Sequence, residues 1–313
     1  MKRLIDIPTP SCHASTLLRT NTGYLLAWFG GTREGDTDVG IWVCAGDTPV
    51  RVDREPGIPH WNPVLHRRMD GTVLLFYKVG HQIPGWRTYV TCSHDEGVSW
   101  SIPYELIPGD DTGGRGPVKN KPIRLSDGSI LAPASSERGI WRVFTDRSTD
   151  DGRTYIRSAF VNAPIFNGKP VGLIQPTLWD SSPGQVHMLA RSNAGYLFRA
   201  DSRDYGISWS PAYPTPLPNN NSGVDLARLP DGTLVLAHNP VSGNWAARTP
   251  LVLSVSYDGG NTWRRAYTLE DARGEFSYPA VIPSEDGVAV SYTWNREKIA
   301  LCEIPREMLC ERL

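Results

Sequence analysis

Three carboxylates, Glu34, Asp36 and Asp38, fall within five residues of a glycine-rich stretch, Trp28 to Gly40, that also carries Arg33. Such a cluster is either a solvated turn or the source of a proton donor. A second group of polar side chains recurs along the chain at regular places. His13 stands in Cys12-His-Ala-Ser15, Asn62 in Trp61-Asn-Pro63, Asn120 and Lys121 in Lys119-Asn-Lys-Pro122, and Gln175 in Ile174-Gln-Pro176. Asp225 closes Asn221-Ser-Gly-Val-Asp225, and Tyr278 stands in Phe276-Ser-Tyr-Pro279. Imidazole, amide, ammonium, carboxylate and phenol at six equivalent places could together bind a polar ligand and move protons. Any one of them alone is more often a hydrogen bonder at a strand end. Six in register favour a binding site, because sites are convergent polar groups in a cavity.

Equivalent places imply a repeat, and the chain carries two. The first reads Ser-x-Asp-x-Gly-x-(Ser/Thr)-aromatic and occurs at Ser93–Trp100, Ser148–Tyr155, Ser202–Trp209 and Ser256–Trp263, with starts 55, 54 and 54 residues apart. Its chemistry is that of a hairpin turn: Asp accepts backbone N–H groups, Gly takes a positive φ, and the aromatic ring plugs between units. Asp95, Asp150, Asp204 and Asp258 are therefore expected to be structural. The second repeat runs out of phase and places Asp-Gly between apolar runs, as at Asp70-Gly71, Asp127-Gly128, Asp231-Gly232 and Asp286-Gly287. This is a strong hairpin signal. The unit is two hairpins, and six units of about 52 residues match four-stranded propeller blades. The expectation is an all-β, six-bladed propeller of antiparallel blades forming one domain over 1–313. The six polar places open the innermost strands and should meet at the axis, while the first and last blades lack the Ser-x-Asp turn.

Composition agrees. Thirty Gly and 26 Pro suit many turns, and 11 Trp and 12 Tyr suit blades that pack face to face. A net charge of −1 gives no electrostatic case for nucleic acid or an anionic membrane. No apolar segment reaches membrane-spanning length, and Met1 to Pro8 lacks the apolar core of a signal peptide. The five cysteines show no metal spacing and read as reduced thiols of a cytoplasmic protein; the seven His are scattered, so neither a metal nor another cofactor is expected.

The Ser-x-Asp turns on six blades resemble the Asp boxes of the sialidase (neuraminidase) superfamily, and the resemblance spans nearly the whole chain. Cys-His-Ala-Ser, Trp-Phe-Gly-Gly-Thr, Trp-Asn-Pro-Val-Leu and Lys-Asn-Lys-Pro-Ile further resemble a bacterial sialidase-like subgroup. The resemblance implies an arginine clamp for a sugar carboxylate, an Asp acid/base, a Tyr nucleophile and a Glu that activates it. Arg191 in Met188-Leu-Ala-Arg-Ser192 and Arg248 in Asn244-Trp-Ala-Ala-Arg-Thr249 match two clamp arginines, whose donors suit a carboxylate bidentately. Tyr278 matches the nucleophile, with Glu275 close by, and Asp38 is preferred to Asp36 as acid/base. Two departures stand out. The arginine of the first blade is replaced around His13, and the activating Glu is replaced by Gln175, whose amide cannot take a phenolic proton.

The resemblance implies an exo-acting glycoside hydrolase releasing a terminal, acidic sugar. Arg191 and Arg248 would hold the carboxylate with help from His13 and Lys121, and Arg33, Asn62, Asn120, Gln175 and Asp225 would complete the substrate site. The alternatives are a lyase acting beside a uronate, with His13 or Tyr278 as base, and a carbohydrate-binding propeller without catalysis.

Overall fold

Apolar runs joined by Asp-Gly turns fold as antiparallel hairpins, and pairs of hairpins form six four-stranded sheets in the computed structural model, which describes residues 2–310. Blade 1 comprises Ser11–Thr20, Gly23–Gly31, Gly40–Cys44 and Val50–Arg51; blade 2 comprises His60–Arg67, Val73–Val79, Arg87–Ser93 and Tyr104–Glu105. Blade 3 is Ile123–Arg124, Ile130–Ser136, Arg142–Ser148 and Ile156–Arg157. Blade 4 is Leu173–Ser182, Gln185–Ser192, Tyr196–Ser202 and Tyr213–Pro218. Blade 5 is Asp225–Arg228, Leu234–His238, Leu251–Ser256 and Arg264–Glu270. Blade 6 takes Phe276–Pro283, Gly287–Trp294 and Lys298–Pro305 and is completed by Lys2–Ile5 from the other end of the chain. The protein is a six-bladed β-propeller.

The core lies between blades. Val73–Val79 is buried along its whole length, because it is covered on both faces, and so it reads as a continuous apolar run rather than an alternating one. Leu25, Ala27 and Phe29 of blade 1 pack with Val73, Leu75 and Tyr77 of blade 2 in one cluster. Val235, Leu253 and Val255 of blade 5 do the same with Val288, Val290 and Tyr292 of blade 6.

The Ser-x-Asp turns join third to fourth strands in blades 2 to 5, as expected from the repeat. In the first, Ser93 donates to Asp95 and accepts from Gly97 N–H, while Asp95 accepts from the N–H and hydroxyl of Ser99. The same bonds recur around Asp150, Asp204 and Asp258. Glycine is required for a close approach: a Cβ on Gly206, at φ 78°, would sit 2.4 Å from Leu131 Cδ2 of the preceding blade. These carboxylates are fixed parts of turns.

Strand order sets what faces the axis. The first strand of each blade runs away from one end of the propeller, so the loops between second and third strands return to that end. The Asp-Gly and Ser-x-Asp turns lie at the opposite end. Two rings of residues therefore meet at one mouth: first-strand starts and second-to-third-strand loops.

Candidate functional site

Each first strand begins with a backbone pivot. Ala14, Asn62, Lys119, Gln175, Asn221 and Tyr278, one per blade, have φ between 42° and 64°. Left-handed conformation at a non-glycine residue costs on the order of 1 kcal/mol or more, so the surroundings must impose it. In blades 1, 2, 4 and 6 the pivot is a bulge that interrupts the register with the second strand. A bulge re-aims its side chain, here toward the axis. The pivots are held by neighbouring blades: Ala14 N–H donates to Thr293 Oγ1 and Gln175 N–H to Ser135 Oγ.

A cavity of about 200 Å³ opens at this end of the axis. Its lining brings together six of the expected residues: His13, Asn62, Gln175, Arg191, Arg248 and Tyr278. Arg191, at the end of Gln185–Ser192 and only 2% exposed, is the centre of the hydrogen-bond network. Its Nε donates to Asn221 Oδ1 at 2.7 Å, and its Nη1 donates to Gln175 Oε1 at 3.0 Å and to Tyr278 Oη at 2.6 Å. All three partners are neutral, and among the described residues no carboxylate forms an ion pair with Arg191. Trp245 and Tyr278 place their rings 5.4 and 5.7 Å from the guanidinium carbon, which adds quadrupole attraction without neutralising it.

The other two guanidiniums are partly compensated. Arg248 donates to Glu275 Oε1 at 2.7 Å, and Arg296 donates to the same oxygen at 3.0 Å and to Glu34 at 2.5 Å. Burial pushes the Glu275 carboxyl up, but Arg248 and Arg296 outweigh it and hold the group below its usual value. Glu275 thus acts behind the arginines and is not among the cavity-lining residues. The turn carrying Arg296 is stitched down by Asn295 N–H to Glu275 O and Cys12 N–H to Arg296 O.

His13 is 2% exposed, shares a hydrogen bond with Thr293 at 2.9 Å, and lies with its ring 4.2 Å from that of Tyr278. Burial, followed by the charges of Arg296, Arg248, Arg191 and Lys119, holds its pKa well below the ordinary imidazole value. Its neutral form is favoured, so any help it gives in holding a carboxylate is a hydrogen bond and not a positive charge.

Five expected residues stand elsewhere. Lys121, Asn120 and Asp225 lie beyond the pivots, where first strands narrow on one another and side chains bridge blades instead of facing the cavity. Asp225 accepts from Lys121 Nζ, Thr177 Oγ1 and Val281 N–H, joining blades 3, 4, 5 and 6. Asn120 donates to the carbonyls of Gln175 and Pro176. Asp38 is exposed and accepts both the N–H and the hydroxyl of Thr32. The Thr32 hydroxyl is the main reason its carboxyl sits below the usual range, the ionised state and not that of a proton donor. Arg33 projects outward and pairs with Asp36.

The sequence reading missed the second ring. Glu34, Ile83, Trp86, Glu137, Trp245 and Arg296 all line the cavity from second-to-third-strand loops. The repeat does not locate them, since these loops differ in length from blade to blade. Lys119 takes the axial place expected for Lys121. Its Nζ donates to Asn120, Val224 O and Pro279 O, and burial lowers its pKa to about 7. Gly223 packs closely beside it: a Cβ there would stand 3.0 Å from Lys119 Cε and 3.4 Å from Tyr278 Cγ, so a larger residue would have to displace the lysine side chain.

A family profile, the BNR repeat-like domain, matches residues 23–290. The chain belongs to the BNR repeat-like family. No curated protein shows significant sequence similarity to it. Among solved structures, a Hadza microbial sialidase superposes with a TM-score of 0.79 at 16% identity, covering 96% of this chain and 67% of that one. A variant of the NanB sialidase from Streptococcus pneumoniae gives 0.75 at 12% identity, over 96% of this chain and 69% of the other. A protein of unknown function from Dyadobacter fermentans gives 0.77 at 18% identity over 96% of both chains. The chain is thus a sialidase-fold member of the BNR repeat-like family.

Proposed function

We propose that this protein is a sialidase-like, exo-acting glycoside hydrolase that releases a terminal acidic sugar. The observation that carries the reading is the guanidinium of Arg191, which forms no ion pair among the described residues, in the wall of the axial cavity. Arg191 donates to the sugar carboxylate with its remaining N–H groups, and Arg248 and Arg296 complete a positive wall. Arg296 supplies the third guanidinium that the sequence around His13 lacks, from blade 6 instead of blade 1. Trp61, Trp86 and Trp245 offer apolar surfaces to the sugar ring. Tyr278 Oη, already accepting from Arg191, stands where negative charge on the oxygen would be stabilised as it approaches the anomeric carbon. A cavity this size suits one sugar ring at a chain end, and sits below the roughly 300–1,000 Å³ of sites for larger ligands.

One observation favours a second reading. The residue in the activator position, Gln175, donates nothing basic to Tyr278, whereas a neutral, buried imidazole lies against the same ring. A neutral His13 could take the proton beside a uronate carboxylate neutralised by Arg191, with loss of the β-oxygen substituent and formation of a carbon–carbon double bond. Product analysis on acidic oligosaccharides and chromogenic glycosides tests both. Incorporation of water supports hydrolysis, a new ultraviolet-absorbing double bond supports elimination, and binding without product leaves a carbohydrate-binding propeller.

A further inference from the structure

Three carboxylates stand in or directly behind the cavity wall, and two are committed. Glu34 is paired with Arg296, and Glu275 with both Arg248 and Arg296. The third, Glu137, is the first residue of the loop after Ile130–Ser136 and lines the cavity with Arg191 and Tyr278. Among the described residues its carboxyl has no hydrogen-bond or ion-pair partner. Its backbone is nevertheless fixed on both sides: Ser136 Oγ accepts Arg138 N–H at 3.3 Å and donates to Thr112 O at 3.2 Å, and Ser135 Oγ accepts Gln175 N–H. A half-buried carboxyl, aimed into a cavity on anchored backbone and left unpaired, has no structural task there.

We propose that Glu137, and not a residue of the Arg33–Asp38 loop, is the proton donor and acceptor of this cavity. The inference rests on the glycosidase reading above. As the bond from the anomeric carbon to the leaving oxygen breaks, the electron pair goes to that oxygen, which takes the Glu137 proton. The resulting carboxylate then accepts a proton from the water whose oxygen bonds to the anomeric carbon, and the acid is restored with one water consumed. The electrostatics agree: burial raises the Glu137 pKa against the opposing charge of Arg191, whereas Asp38 is held ionised. The other charged groups around the same space are Arg248, Arg296 and Glu34, with His13 neutral.

The test uses two glycosides of one acidic sugar, one with a nitrophenol leaving group and one with an alkyl alcohol. General acid catalysis contributes about 10²–10⁴-fold, so Glu137→Gln should lose at least about 100-fold in kcat on the alkyl glycoside. It should lose less than about tenfold on the nitrophenyl one, and affinity for the free sugar should be kept. Glu137→Asp should fall between wild type and Glu137→Gln, and it carries the test if the amide variant fails to bind the sugar. Alkyl turnover by both variants within about twofold of wild type overturns the inference and leaves the hydrolase reading standing. Tighter sugar binding with unchanged turnover also overturns it, making Glu137 a mere counter-ion to Arg191. A wild-type protein that cleaves neither glycoside overturns the hydrolase reading and the inference with it.

Discussion

At the scale of residues, the cavity is built around one guanidinium whose partners are all neutral, and this makes specific demands on substitution. Arg191→Lys keeps the charge but cannot hold Asn221, Gln175 and Tyr278 at once, nor present a planar fork to a carboxylate. Charge-assisted hydrogen bonds contribute about 1.5–3 kcal/mol, so titration calorimetry should show affinity for an acidic sugar weakened by roughly tenfold or more. Arg248→Lys should weaken it less, because Glu275 already shares that charge. Gln175→Glu invites a contrary expectation from family resemblance alone, which would have it restore activity. Here the new carboxylate would pair with Arg191, 3.0 Å from the present amide oxygen, and neutralise the ligand's counter-charge. Weaker acidic-sugar binding by Gln175→Glu is expected; tighter binding would show that Arg191 is not the anion site. Tyr278→Phe should bind the sugar nearly as well as wild type but lose most turnover, since its oxygen acts only as charge develops. Full activity in that variant would move the chemistry to His13.

At the scale of elements, the sequence exposed the hairpins but shifted the pivot in three of the six blades, and proline explains which three. In blades 2, 4 and 6 the pivot precedes proline, as Asn62-Pro63, Gln175-Pro176 and Tyr278-Pro279, and the motif pins the register. In blades 1, 3 and 5 the pivots are Ala14, Lys119 and Asn221, each followed by Ser or Asn. Without that marker the sequence leaves the register open, and the expected His13, Lys121 and Asp225 stand one, two and four residues from the pivots. A shift of one residue moves a side chain to the other face, and a shift of several moves it down the axis. His13 still lines the cavity, while Lys121 and Asp225 became a bridge between blades. The second ring was illegible for another reason: loops between second and third strands vary in length and carry no repeat of their own. The Ser-x-Asp turns predict an acid response. Hydrogen bonds from the Ser99 side chain and backbone, and from those of Thr262, lower Asp95 and Asp258 to about 2. A carboxyl whose pKa is lower folded than unfolded stabilises the fold above the unfolded value, near 4, and loses that contribution as pH falls through the folded one. Denaturant midpoints should therefore drop between about pH 4 and pH 2, and Asp95→Asn combined with Asp258→Asn should flatten that drop. An unchanged slope would mean the boxes are not what titrates.

For the whole molecule, closure is the governing event, because Lys2–Ile5 pairs with Lys298–Pro305 and buries Ile5 in the contact between the last and first blades. Replacing residues 2–5 by glycine and serine should lower the melting temperature by several degrees and loosen blade 6, which holds Tyr278 and Arg296 in the cavity wall. Acidic-sugar affinity should fall with it, whereas a change confined to stability would show that the cavity survives an open ring. The family and the fold were legible because each of the two turn patterns is written four times along the chain, and errors in one copy do not hide the others. The cavity was only half legible because each blade contributes a different side chain to it. The account's central claim is that this cavity holds the carboxylate of a terminal sugar on Arg191. The most direct measurement compares the wild-type protein on a glycoside of an acidic sugar and on its methyl ester. Turnover of the acid with little or none of the ester is the predicted result. Equal turnover of the two, or binding and turnover of the ester alone, would contradict it.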